Sequence, residues 1–79
     1  MDEHFLDVSD LPPPEPLERI LHAVMRLKPG ERLRARLPRQ PYPLFGLLNE
    51  EGFAYESTPV SKGPDVVYDI LITRNPGPT

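Results

Sequence analysis

The sequence predicts an α+β fold, a two-layer α/β sandwich in which two helices cover one face of a four-stranded mixed sheet. Stretches with the apolar period of a helix alternate with strand-like stretches, in the order β-α-β-α-β-β. Residues 66–74 are apolar on both sides, which is typical of a strand inside a sheet. Strand–helix–strand connections favour the right-handed crossover, so both helices are expected on the same face of the sheet.

A proline run joins the first strand to the first helix. The segment HFLDVS (4–9) predicts a strand, and DLPPPEP (10–16) predicts extended backbone because a residue before proline avoids the α region. From Pro16 onward the apolar period is 3.6, and the Pro-Gly pair of KPGE (28–31) is expected to end the helix. The predicted buried face consists of Leu17, Ile20, Leu21, Val24 and Leu27.

A second proline-rich segment joins the next strand and helix. RLRARL (32–37) alternates strictly, which predicts a half-buried strand with its arginines facing solvent. PRQPYP (38–43), called the connector below, leads into a helix in which Pro43 suits the first position and Gly52 the left-handed cap. The predicted apolar stripe of this helix consists of Leu44, Leu47 and Leu48.

The last part of the chain predicts two more strands, residues 53–58 and 66–74, joined by a turn over residues 59–65. The twelve prolines cluster between the periodic stretches, which indicates a folded domain and not a disordered chain. We expect a single domain over residues 1–74 and a flexible C-terminal tail over residues 75–79.

The composition excludes several classes of function. There is no cysteine, hence no disulfide, thiolate metal site or thiol nucleophile. The net charge of −3 argues against general nucleic-acid binding, which relies on neutralising phosphates. No apolar run reaches the ~20 residues that cross a bilayer, and no segment resembles a signal peptide. We expect a cytoplasmic monomer that does not contact membranes.

The segments LDVSDLPPPEPLERIL (6–21) and LKPGERLRARL (27–37) resemble the TusA/SirA-like superfamily, in particular an uncharacterised bacterial branch of it. Proteins of this superfamily have a strand ending in Leu-Asp, a Cys-Pro-x-Pro motif that opens the first helix, and a Pro-Gly turn before the second strand. In the uncharacterised branch a Pro-x-Pro-Leu sequence opens the second helix, as Pro41, Tyr42, Pro43 and Leu44 do here. The resemblance implies the same fold.

The resemblance also places Pro13 at the position of the cysteine that carries a persulfide in TusA-like proteins, and Pro14, Glu15 and Pro16 match the rest of the motif. Proline cannot bear a persulfide, so sulfur relay through a thiol of this polypeptide is excluded. Histidines that many members of the branch carry near these motifs are also missing here. The resemblance therefore gives no support for a histidine-based metal or redox role.

Residues 13–16, called the elbow below, remove N–H donors from the entrance of the first helix. A helix N-terminus ordinarily offers about four free N–H groups and a partial positive charge, which suit an anion. Here only Glu15, Leu17 and Glu18 keep an N–H near the entrance, and the two glutamates add negative charge. The elbow is then either a rigid structural turn or a surface that a partner protein recognises.

The arginine row is the most concentrated charge in the sequence, and it consists of Arg32, Arg34 and Arg36, with Lys28 and Arg39 nearby. Its functional interpretation is an anion or single-stranded RNA surface on the open sheet face, with Tyr55 or Tyr68 available for stacking. The structural interpretation is cross-strand pairing with Glu56 and Asp69.

We therefore expect a non-enzymatic protein-interaction or accessory module with no cofactor and no metal, whose protein partner is unidentified. The expected working surface, at the same end of the sheet, consists of Pro13, Pro14, Glu15, Pro16, Pro41, Tyr42 and Pro43. Weak RNA or anion binding through Arg32, Arg34, Arg36 and Arg39 is the alternative. His4 and His22 lack companions at metal-ligand spacing, and no serine has a base at motif spacing.

Overall fold

A computed structural model describes residues 3–75, and the predicted fold is confirmed in them. The elements are β1 (Glu3–Asp7), α1 (Glu15–Val24), β2 (Arg32–Leu37), α2 (Tyr42–Glu50), β3 (Ala54–Lys62) and β4 (Asp65–Thr73). The strands form one mixed sheet in the order β1-β2-β4-β3, with β1 and β2 parallel and the other neighbours antiparallel. Of the expected tail, residues 76–79 lie outside the described residues, and the Asn75 side-chain amide donates to the Gly52 carbonyl at 2.6 Å.

β4 lies inside the sheet, as its two apolar sides predict. Ile70 and Ile72 are fully buried on the side that faces the helices. Val66 departs from this pattern, since it is 54% exposed. The reason is that β2 ends at Leu37, opposite Tyr68, so the first residues of β4 extend beyond β2 and pair with β3 alone.

The turn predicted over residues 59–65 is confirmed at Gly63 and Pro64, but it is shorter than expected because the β3–β4 hairpin is longer. β3 continues through Pro59 to Lys62, and the connection consists only of Gly63 and Pro64. Gly63 has a φ of 61° and proline cannot adopt a positive φ, so the pattern is that of a type II′ hairpin turn. Pro59 is tolerated because β3 is an edge strand of the described sheet.

Both helices pack on the same face of the sheet. The buried side chains form one cluster, which contains Val8, Ile20, Val24, Leu27, Leu33, Ala35, Leu37, Leu44, Leu48, Ile70 and Ile72. The other face of the sheet has no covering layer within residues 3–75. None of the helices in this range is both long enough and apolar enough to span a membrane.

α1 ends at Val24, four residues before the KPGE segment that was expected to end it. Beyond Val24 the backbone tightens, since the N–H groups of Arg26 and Leu27 donate to the carbonyls three residues earlier, both at 3.1 Å. This tighter turn still directs Leu27 into the core, so the predicted buried position holds although the α-helix is shorter.

α2 begins at Tyr42, one residue earlier than predicted, with Pro43 as its second residue. Leu44 and Leu48 are buried against the sheet, as the apolar stripe predicts. Leu47, the third member of that stripe, is 39% exposed. The helix therefore presents a narrower buried face than its spacing indicates.

Leu44→Ala is expected to lower the free energy of unfolding by about 2–5 kcal/mol, because it removes fully buried methyl groups and leaves a cavity. Leu47→Ala on the same helix is the matched control and should cost less than about 1 kcal/mol. Urea denaturation followed by circular dichroism measures both. Equal losses for the two variants would contradict the packing of α2 described here.

Candidate functional site

The parallel pairing of β1 with β2 brings the entrances of both helices to one edge of the sheet. β1 leads into the elbow and β2 leads into the connector, and the carboxyl ends of parallel strands lie at the same edge. The two segments face each other across one open groove of about 660 Å³. The predicted residues that line it are Pro13, Pro14 and Pro16 from the elbow and Pro41 and Pro43 from the connector.

Four leucines complete the groove, and the sequence prediction of the site missed them. Leu37 and Leu44 are buried, while Leu11 and Leu17 are half-buried. Each of these leucines directly precedes or follows a proline segment, which is the signal that could have identified them. Glu15 and Tyr42 are exposed next to the groove but do not line it.

Backbone N–H groups around the groove are largely engaged within the chain. The N–H of Glu15 donates to the Pro12 carbonyl at 3.1 Å, and that of Glu18 to the Pro14 carbonyl at 3.2 Å. On the connector side, the N–H of Leu44 donates to the Pro41 carbonyl at 2.9 Å. Two of the three donors that the sequence left at the α1 entrance are therefore bonded to proline carbonyls of the same proline run.

Lys62, near the tip of the hairpin, holds one rim of the groove in place. Its ammonium donates to Ser9 Oγ at 2.6 Å and lies 3.6 Å from Asp7 Oδ2 and 3.5 Å from Asp10 Oδ2. Asp7 Oδ1 in turn accepts from the Ser9 hydroxyl at 2.6 Å and the Ser9 N–H at 2.9 Å. Ser9, which the sequence placed in the first strand, forms a turn with Asp10 after β1 ends at Asp7, and both residues line the groove.

The hydrogen bonds from the Ser9 side chain and backbone hold the pKa of Asp7 below its ordinary value of 3.8, and Lys62 adds to the effect. The ionised carboxylate is thus the form that the turn favours. A charged group on β1 therefore fixes the beginning of the segment that leads to the elbow.

Tyr42 projects from the connector as a braced aromatic side chain. It is 72% exposed, as expected for a residue between two prolines. Its ring packs edge-to-face with the ring of Phe45 at a centroid distance of 6.0 Å, and Phe45 stacks on Tyr55 at 4.6 Å. The connector is also tied to β3, since the Ser57 hydroxyl donates to Gln40 Oε1 at 2.8 Å.

The arginine row is neutralised by carboxylates of the same sheet. Arg36 donates twice to the buried Asp69, at 2.7 and 3.0 Å, which confirms the predicted pairing and raises the pKa of Arg36. The predicted pairing with Glu56 is wrong, because β4 separates β3 from the row. Glu3 pairs with the row instead. Its Oε1 lies 3.7 Å from Arg32 Nη2 and its Oε2 lies 3.3 Å from Arg34 Nε.

Neither tyrosine expected to stack bases lies on the arginine face. Tyr55 and Tyr68 pack against the core on the helix side. The face carries Phe5 instead, over which the Arg36 guanidinium lies at 5.3 Å from the ring centroid. Arg39 is separate from the row and lines the groove. RNA or anion binding through the row stays a prediction, without the aromatic platform that it was expected to use.

The histidines lie apart from the groove. His4 Nε2 is 3.5 Å from Glu31 Oε2 at the opposite end of β1, and His22 is in the last turn of α1. Within residues 3–75 the structure contains no group of three or more His, Cys, Asp or Glu side chains that could hold a metal ion.

Residues 5–74 match the family of uncharacterized conserved proteins DUF2249. No curated protein and no solved structure matches the sequence. The matched region begins within β1 and ends just after β4, so it includes the elbow, the connector and the groove between them.

Arg36→Met is expected to destabilise the fold more than Arg34→Met, because it leaves the Asp69 carboxylate buried without its partner. The double variant Arg36→Met with Asp69→Leu should recover much of the loss, since no unpaired charge is then left inside the sheet. Urea midpoints of the variants measure this, and a double variant less stable than either single one would contradict it.

Acidification should reduce the contribution of Asp7 to stability. Its folded-state pKa is depressed, so the contribution is present above pH 3.8 and is lost as the pH falls through the lower folded value. Because the group is at the surface, the effect is at most about 1 kcal/mol. The stability difference between the wild type and Asp7→Asn should shrink over that window. A difference that stays constant from pH 6 to about pH 2 would rule this out.

Proposed function

The chain belongs to the family of uncharacterized conserved proteins DUF2249, and we propose that it is a non-enzymatic module that docks a partner protein in the groove between the elbow and the connector. The observation that carries this proposal is the groove itself. Its volume of about 660 Å³ is in the range of sites that hold ligand groups or side chains. Prolines and leucines make up most of its lining.

Rigidity of the groove supports docking. Proline fixes its own φ, and the Lys62 contacts hold the rim at Ser9 and Asp10, so little conformational freedom remains to be lost when a partner binds. Tyr42 is placed beside the groove as a large, exposed aromatic side chain whose ring is braced by Phe45. Tyrosine is enriched among residues that dominate binding energy in protein interfaces.

The chemistry of the lining supports a role in binding and not in catalysis. The polar side chains that line the groove are those of Ser9, Asp10, Arg39 and Gln40. The Ser9 hydroxyl donates to Asp7 Oδ1 and accepts from Lys62, and the lowered pKa of Asp7 makes that carboxylate a poor base for activating the hydroxyl. The lining residues include no histidine and no cysteine, the side chains most often used as general base and as thiol nucleophile.

We also propose that the fold is that of the TusA/SirA-like superfamily, with the carrier cysteine replaced. The support is the element order and the position of the elbow, whose Pro13 stands where the resemblance places the cysteine. With no thiol in the sequence, the scaffold would serve as an accessory that binds a protein without carrying sulfur.

Site-specific photo-cross-linking tests the proposed surface. With p-benzoylphenylalanine at position 42, the full chain is expected to capture a defined protein in lysate of its native cell. The same amino acid at position 25 is the matched control, because Met25 is 73% exposed but lies with Glu51 and Gly52 at the other ends of the helices. A captured protein supports the proposal only if it is cross-linked from position 42 and not from position 25.

A second variant tests whether that capture uses the groove. Leu17→Glu places a charge in the half-buried wall and should reduce capture at position 42 at least about tenfold if the groove is the docking site. A circular dichroism spectrum of the Leu17→Glu variant that matches the wild-type spectrum excludes unfolding as the cause of reduced capture. Capture that is equal at positions 25 and 42, or unaffected by Leu17→Glu, would overturn the proposal.

A further inference from the structure

We infer that the segment that docks in the groove combines apolar side chains with an arginine. This inference rests on the proposed docking function and names the chemistry of the partner. It follows from the groove's shortage of hydrogen-bond donors, from the acidic side chains on and beside its elbow side, and from its apolar lining.

Prolines give the groove acceptors without donors. Seven of its fifteen lining residues are prolines, namely Pro12, Pro13, Pro14, Pro16, Pro38, Pro41 and Pro43. Each contributes a carbonyl oxygen and no N–H. The carbonyls of Pro12, Pro14 and Pro41 already accept N–H groups of the chain. A ligand must supply donors to the carbonyls that it buries without such a partner, because a buried acceptor without a partner costs about 1–3 kcal/mol.

The remaining donors near the elbow are mostly occupied. The N–H of Ser9 donates to Asp7 Oδ1 at 2.9 Å, and the N–H of Leu11 donates to the Val8 carbonyl at 3.2 Å. The N–H of Glu15 is bonded to the Pro12 carbonyl. A phosphate or carboxylate would therefore find few of the N–H groups that make other helix entrances anion sites.

Charge differs between the two walls of the groove. On the elbow side Asp10 lines the groove, with a side chain that is 90% exposed, and the exposed Glu15 and Glu18 of the first turn of α1 add negative charge beside the groove without lining it. Lys62 lies 3.5 Å from Asp10 but is shared with Ser9 and Asp7, so it compensates this wall only in part. On the connector wall the charged lining residue is Arg39.

Arginine matches the elbow wall in two respects. Its guanidinium has five N–H donors and no acceptor, which suits carbonyls and carboxylates together. Its aliphatic stem can lie along proline rings while the charged end stays at the rim. Neighbouring leucine-like side chains of the same segment would occupy the part of the groove formed by Leu37 and Leu44.

Matched peptides test this chemistry on the intact, ¹⁵N-labelled chain. The probes are capped hexapeptides Gly-Leu-X-Leu-Leu-Gly, in which X is arginine, citrulline or glutamate. Amide shifts of Leu11, Leu17 and Leu44 report binding in the groove. We expect the arginine peptide to bind at least about tenfold more tightly than the glutamate peptide, with the uncharged citrulline peptide between them.

Two variants assign the preference to the elbow wall. Asp10→Asn with Glu15→Gln should bring the affinities for arginine and citrulline peptides together. Glu50→Gln is the matched control, since Glu50 is exposed at the far end of α2. Removing its charge should change the affinity for neither the arginine peptide nor the citrulline peptide.

Equal affinities, a reversed order, or no shifts at millimolar peptide would each overturn the inferred chemistry. So would a preference for arginine that the elbow variants leave intact. If position 42 still cross-links a partner in those cases, the docking surface stands and only its preference for arginine is wrong. If cross-linking at position 42 fails while the arginine peptide binds as expected, the groove recognises this chemistry but the proposed protein docking is wrong.

Discussion

The parallel pairing of β1 with β2 is the constraint on which the groove depends. The register runs from Glu3 opposite Arg32 to Asp7 opposite Arg36, and the Val8 N–H extends it by donating to the Arg36 carbonyl at 2.9 Å. Parallel strands require a crossover, which α1 provides, and each strand is then followed by a helix that begins at the same edge. The elbow and the connector must therefore meet, and their prolines become two walls of one site.

Charge on this molecule is divided between the open face of the sheet and the helix entrances. On the sheet, each arginine of the row has a carboxylate within 3.7 Å, and the pair of Arg36 with Asp69 is partly shielded from water. At the helix entrances, Asp10, Glu15 and Glu18 face solvent beside a donor-poor groove. The positive charges of the arginine row are thus neutralised by carboxylates of the same sheet. The acidic residues at the helix entrances remain exposed to a partner.

The long β3–β4 hairpin gives the groove a support that comes from far along the chain. Because the hairpin extends beyond β2, Lys62 reaches Ser9, Asp7 and Asp10, which are more than fifty residues away. Each of these surface contacts is individually weak, at about 0–1 kcal/mol. Together they hold the turn before the elbow, so the rim and the hairpin tip form one connected part of the structure.

Local sequence determined most elements of this fold: the alternation in 32–37, the period from Pro16, and the proline segments that separate strands from helices. These signals are local because backbone sterics and apolar periodicity act within a few residues. Only the tertiary structure decided that β4 separates Glu56 from the arginine row, that Tyr55 and Tyr68 face the core, and that the hairpin continues to Lys62. Those outcomes depend on strand order and register, which join residues distant in sequence and have no local signature.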